Sequence, residues 1–202
     1  MSIATMLPSR YLPPVEWFAA AWGHDEVTIC THCHYDKRDK GTPRCVIADA
    51  NGQARLTVPI EKPASITATM LDEIVISAHD SWWNIHFTAL ASAYGRTPFF
   101  EYYADDLMPF YTRDWAGRRL TEYTGERTRL IGRLAGLSTH FIDGGGQLTS
   151  MPEINATEYY QVRRDRFGFL PGMSIVDLLF NMGPESELIL ERMVKSKHTQ
   201  GA

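Results

Sequence analysis

Cysteine is scarce in this 202-residue chain: Cys30, Cys33 and Cys45 are the only three. So small and odd a set excludes the disulfide scaffold of small secreted proteins and points to a reducing cytoplasm. No apolar run approaches the length needed to cross a bilayer, and the opening MSIATMLPSR lacks the basic region and apolar core of a signal peptide. A surplus of one charge is missing too. A net charge of −4 gives no general pull toward nucleic acid or an anionic membrane, so any anion binding must come from a local cluster. There is no internal repeat, no low-complexity segment and no glycine-rich nucleotide fingerprint. With 44% hydrophobic residues, the length suits one well-buried domain, expected over 1–198 with a disordered tail at 199–202.

The patterning places that domain in the α/β class. Ile3 to Leu7 reads as a buried strand. Pro13 and Pro14 then open VEWFAAAW, whose Val15, Trp17, Phe18, Ala21 and Trp22 share a helical face. EVTICT, from Glu26, alternates and is β-branched, so it reads as a second strand. Strand, helix and strand in that order predict a βαβ unit, and hence a mixed or parallel sheet covered by helices. Arg44 to Ala48 and Gln53 to Ile60 predict a hairpin around Asp49-Ala50-Asn51-Gly52. A further strand is expected within Ile66 to Ile76, and helices are expected from Ser81 to Gly95, from Pro98, over 117–135, over SIVDLLFNMG and from Pro184. Ser138 to Ile142 predicts a short strand.

The densest chemistry lies in CTHCHYDKRDKGTPRC, residues 30–45. Cys30 and Cys33 form a C-x-x-C beside His32 and His34, the outline of a metal site. A second cysteine pair is missing, however, and residues three apart on a strand point to opposite faces, so no metal is expected. A thioredoxin-like thiol pair needs a helix N-terminus, and this motif ends a strand. Cys33 or Cys45 as nucleophile, with His32 or His34 as base, stays open. The cations Lys37, Arg38, Lys40 and Arg44 fall in eight residues beyond a strand's carboxyl end. Ligands of open α/β sheets bind there, and arginine suits phosphate or carboxylate. The competing reading is a solvated charge run.

Other residues carry weaker signals. Pro8, Ser9, Arg10 and Tyr11 form a loop before a helix, a place for backbone N–H groups to meet an anion. Asp177 and Asn181 lie four apart among Ile175, Val176, Leu178 and Leu179, where a carboxylate needs a partner. Tyr159, Tyr160 and Gln161 offer an aromatic platform and an amide for sugar or base recognition, or simply core. Arg118, Arg119, Arg127, Arg129 and Arg133, interleaved with Glu122 and Glu126, read as a solvated helix face, and no nucleic-acid pattern accompanies them. His86 reads as a packed histidine.

The ordered set MLPSRYLPPVEWF, HYDKRDKGTPRCVI, RLTVPI, SWWNIHFTALASAYGRTPFFEYY and YYQVRRDRFGFLPGMSIVDLLFNMGPES resembles the WbqC-like family of bacterial proteins, from about residue 3 to residue 190. The chain departs from the pattern at Cys30, His32 and Cys33, and in having Pro43-Arg44 where relatives carry an Asn-Arg pair. The family's name implies a role in O-antigen and other surface-polysaccharide biosynthesis, and it carries no settled reaction. Joined to the residues, it implies a group transferase of acyl, aminoacyl or nucleotidyl type. Lys37, Arg38 and Arg44 would bind the anion of an activated donor, aided by Arg10, Tyr11, Tyr35, Gln161 and Asn181. His32 or His34 would be general base and Asp177 would orient or balance charge. The residues name no cofactor. The rival reading is a non-catalytic protein that binds an anionic metabolite or glycan. A third makes Trp82, Trp83, Phe99, Phe100, Tyr102 and Tyr103 a homodimer surface.

Overall fold

A computed structural model of the chain describes residues 5–63, 65, 69–146 and 154–199. Strand β1 (Thr5–Pro8), helix α1 (Val15–Ala21) and strand β2 (Glu26–His32) form the expected βαβ unit, with β1 and β2 parallel. Strand β5 (His140–Gly145) joins the other edge of β2, also parallel, so the sheet order is β1-β2-β5. The central strand buries Val27, Ile29, Cys30 and Thr31, as expected of a parallel strand covered on both faces. On one side Trp17 and Phe18 of α1 meet Phe141 of β5, with ring centroids 5.6 and 6.2 Å apart.

Strands β3 (Arg44–Asp49) and β4 (Gly52–Thr57) make a separate antiparallel hairpin. Its turn is held by Asn51 N–H donating to the Asp49 carboxylate at 2.7 Å. The strand predicted within 66–76 is corrected. Met70 N–H donates to the Glu73 carboxylate at 2.7 Å, and Leu71–Glu73 coils into one tight turn. Only single bridges follow, Val75 with Arg119 and Ile76 with Ile60; residues 66–68 lie outside the described residues. Ile74 and Ile76 are nonetheless core. Packing thus uses their hydrophobicity without using a sheet.

Helices α2 (Trp82–Tyr94), α3 (Phe100–Leu107), α4 (Leu120–Leu134), the short α5 (Arg164–Phe167), α6 (Ile175–Met182) and α7 (Ser186–Thr199) surround these sheets in one α/β domain. Helix α5 has no counterpart among the predicted elements. Gly183, at φ 55°, breaks α6 from α7 in a conformation that side chains resist. Of the expected tail at 199–202, Thr199 closes α7 and residues 200–202 lie outside the described residues. Trp82, Trp83 and Tyr103 are interior; of the aromatic cluster Tyr102 is exposed and Phe99 and Phe100 are partly so. No helix among the described residues is long and apolar enough to cross a membrane.

One latch positions the site. Val15 N–H donates to Met173 C=O (3.0 Å), Ile175 N–H to Pro13 C=O (2.9 Å), and Ser174 N–H to Val46 C=O (2.8 Å). The starts of α1 and α6 are thereby tied to the hairpin. The 9–14 loop is held beyond the carboxyl end of β1, with Leu12, though buried, at φ 43°. A left-handed leucine costs about 1–2 kcal/mol, and the loop keeps it because both ends and its middle, Tyr11 N–H to Thr42 C=O (2.9 Å), are bonded.

Candidate functional site

Two hollows adjoin one another past the ends of β1 and β2. The first, about 300 Å³, is lined by Arg10, Leu12, Gly41, Arg44, Cys45 and Ser174 among others. The second, about 210 Å³, is lined by Ser9, Cys33, His34, Tyr35, Asp36, Asp39, Thr42 and Leu71, with Pro8. Their common wall is an ion pair. Arg10 Nη1 and Nη2 donate to Asp39 Oδ1 and Oδ2 at 2.9 and 3.2 Å, a bidentate fork. Asp39 also accepts from Gly41 N–H at 3.0 Å, so the polar loop is folded back onto the arginine.

The charges differ in how far they are already matched. Asp39 neutralises Arg10. Arg44 donates Nε–H to the Thr57 hydroxyl at 2.9 Å, meets no carboxylate among the described residues and lines the first hollow, so its charge there is uncompensated. An anion placed there meets one net positive charge and a second guanidinium. Gly41 is part of this geometry, because a Cβ on it would coincide with the Arg10 guanidinium. Gly41→Ala is expected to push Arg10 off Asp39, costing under about 1 kcal/mol in stability, as for a partly exposed pair. Any ligand response is expected to fall as far as in Arg10→Ala; urea denaturation and ligand titration of both variants check this.

The predicted residues do not all converge. His34 is exposed and lines the smaller hollow with Tyr35, whose hydroxyl pKa burial, Asp36 and Asp39 raise. His32 lies outside both hollows: its Nδ1 is 2.7 Å from Asp72 Oδ2, which holds a proton on Nδ1. Lys37 is exposed. Arg38, also in solvent, spends its guanidinium on Asp36 two residues away (3.1 and 3.3 Å), and that pairing lowers the Asp36 pKa. Tyr11 is fully buried, its hydroxyl 2.8 Å from His86 Nδ1.

Asp177, Gln161 and Asn181 form a buried network of their own and line neither hollow. Asp177 Oδ2 accepts from the Tyr159 hydroxyl (2.7 Å) and Gln161 Nε2 (2.8 Å). Asn181 donates to the Asp177 carbonyl at 2.7 Å and accepts from Val162 N–H at 2.9 Å. Gln161 clamps both backbone groups of Leu170. Burial raises the Asp177 pKa against those hydrogen bonds. Tyr159 and Tyr160 lie in irregular chain, the first buried and the second exposed, so they form no joint aromatic platform.

Two cysteine expectations change. Cys30 and Cys33 face each other with their sulfurs in disulfide contact. The period-two argument fails because the β2–β5 register shifts between Cys30 and His32, and Cys33 lies past the strand's end. Cys45 is buried, and burial pushes its thiol up to about 12, which makes it a poor nucleophile at neutral pH. A larger hollow of about 640 Å³ holds Arg96 and Arg163 at the carboxyl end of α2. It contains no acid or base, and a helix C-terminus disfavours an anion.

A family model described as the WbqC-like protein family matches residues 9–144. The chain belongs to this family. No curated protein and no solved structure matches it. The WbqC-like match takes in the 9–14 loop, the polar segment and β3, hence most of both hollows. It ends before the 159–186 segment, which holds the Asp177 network and carries the resemblance toward residue 190.

Sequence reasoning missed Asp39 as the partner of Arg10 and Asp72 as the partner of His32. Asp39 stood in plain view within the polar segment. Asp72 lies forty residues from His32, with no pattern to join them.

Proposed function

We propose that this WbqC-like chain is a group transferase of acyl, aminoacyl or nucleotidyl type, acting on an activated donor in bacterial surface-polysaccharide biosynthesis. What supports it most is the pair of adjoining hollows divided by the Arg10–Asp39 ion pair. The donor's phosphate or carboxylate sits between Arg44 and Arg10, and its reactive carbonyl or phosphorus points toward the dividing wall. An amine or hydroxyl acceptor occupies the smaller hollow. His34 takes the acceptor's proton as the new bond forms, and the anion released stays on the arginines. His32, with its Nδ1 proton held by Asp72, is the second candidate base. The Asp177 group serves the reaction by fixing the 159–170 segment against α6. Lys37 and Arg38, in solvent, attract the anionic donor without holding it.

The exposure of His34 and Lys37 favours a second reading, a non-catalytic protein that binds an anionic metabolite or glycan in the same place. Thermal-shift titration over nucleotides, nucleotide sugars and acyl donors separates the two. The transferase predicts a shift with one class, weakened about tenfold by Arg44→Ala, the loss of one charged hydrogen bond. His34→Ala would keep the shift and lose about 10²-fold in turnover. A shift with no turnover of any acceptor selects the binding protein, and no shift with any donor sinks the transferase.

A further inference from the structure

Helix α4 was expected to present its arginines to water, and Arg127 breaks that expectation. It is 1% exposed, and its three guanidinium nitrogens are buried with no partner in good hydrogen-bond geometry, their nearest oxygens being the neutral hydroxyls of Tyr11, Tyr111 and Tyr123. Around it stand the rings of Tyr123, Tyr111, Tyr11 and Phe110, at 4.4, 4.6, 5.0 and 5.1 Å from Cζ to each centroid. The Tyr111 and Tyr123 hydroxyls are also buried and unbonded. Five orphaned polar atoms therefore share one enclosed place.

Nothing among these neighbours supplies a negative charge. Burial raises the hydroxyls of Tyr11, Tyr111 and Tyr123 and the Cys45 thiol, so all four are neutral at pH 7. His86 is neutral as well, because burial and Arg127 pull it down to about 4. The guanidinium cannot shed its proton in a protein. Aromatic faces attract the cation, but neither they nor the neutral hydroxyls supply a counter-charge. A buried charge needs a counter-charge and a buried donor needs an acceptor, and a compact anion supplies both.

We propose that Arg127, Tyr111 and Tyr123 form a buried site for one compact monovalent anion, of chloride or formate size. The enclosure selects a free ion over the charged end of a larger ligand, since Tyr11 and Tyr123 are fully buried and Tyr111 and Phe110 are under 10% exposed. Cys45 borders both this site and the Arg10–Arg44 hollow, and the proposal does not depend on the transferase reading.

The test is thermal denaturation at constant ionic strength, with gluconate replaced stepwise by formate or by chloride. Wild-type Tm is expected to rise saturably, by about 5 °C, with either small ion. Tyr111→Phe/Tyr123→Phe, which keeps the rings, is expected to lose most of that rise, and Arg127→Met all of it. Arg10→Ala and Arg44→Ala are expected to keep it in full, which separates this site from the surface hollow. The proposal is overturned if formate and chloride act no differently from gluconate. An undiminished response in the double phenylalanine variant overturns it too, and that variant decides the matter if Arg127→Met does not fold.

Discussion

Asp177→Ala is expected to lower folding stability by about 3 kcal/mol. The alanine removes the acceptor of the Tyr159 hydroxyl and the shorter of two side-chain contacts from Gln161 Nε2, in a place where neither donor reaches water. The Tyr159 hydroxyl left unpaired costs about 1–3 kcal/mol, and the lost Gln161 contact and the small cavity add to that. The loss should appear in urea denaturation as a lower midpoint at an unchanged slope. Tyr159→Phe removes one donor together with its need, so it should cost far less than Asp177→Ala. Equal losses in the two variants would show that the carboxylate is not what holds the segment.

The second large effect is a loss of stability in acid, and it comes from His86. In the folded chain its pKa is pulled from 6.5 to about 4 by burial and by Arg127. The unfolded chain therefore takes up a proton at a pH where the folded one refuses it. The stabilisation is complete above the unfolded value near 6.5 and is lost as pH falls through the folded value near 4. A displacement of this size corresponds to about 3 kcal/mol. Asp177 works in the opposite sense, since its raised pKa favours the folded state at low pH, so the wild-type curve alone mixes the two. His86→Gln, which keeps an acceptor for the Tyr11 hydroxyl, isolates the histidine. Between pH 6.5 and pH 4 the wild type should lose about 3 kcal/mol more than the variant, and parallel curves would remove His86 as the cause.

The sheet, the hairpin and the main helices were legible because their apolar periods coincide with faces that the fold covers. The strand expected near Ile74 was misread because buried isoleucines look alike in a sheet and in a packed irregular segment. Arg127 was misread for a related reason: a periodic helix shows which residues share a face, but not that an arginine lies on the covered one. Its aromatic neighbours come from residues 11, 110, 111 and 123, so the covering is a tertiary fact. The candidate site was half legible. Arg10, His34, Tyr35 and Arg44 line the hollows, whereas Lys37 and Arg38 are exposed and line neither. Local pairing with Asp36, two residues off, decides Arg38, and no count of charges reveals it.

The bonds that tie residues 13–15 to residues 173–175 also impose an order on biogenesis. During synthesis the loop carrying Arg10 cannot settle until the start of α6 has left the ribosome, and β2 waits for β5 more than a hundred residues downstream. Contacts so distant along the chain make for slow folding and for apolar surface exposed in the meantime. The cationic hollow therefore cannot take its final form before residues 173–175 have been made.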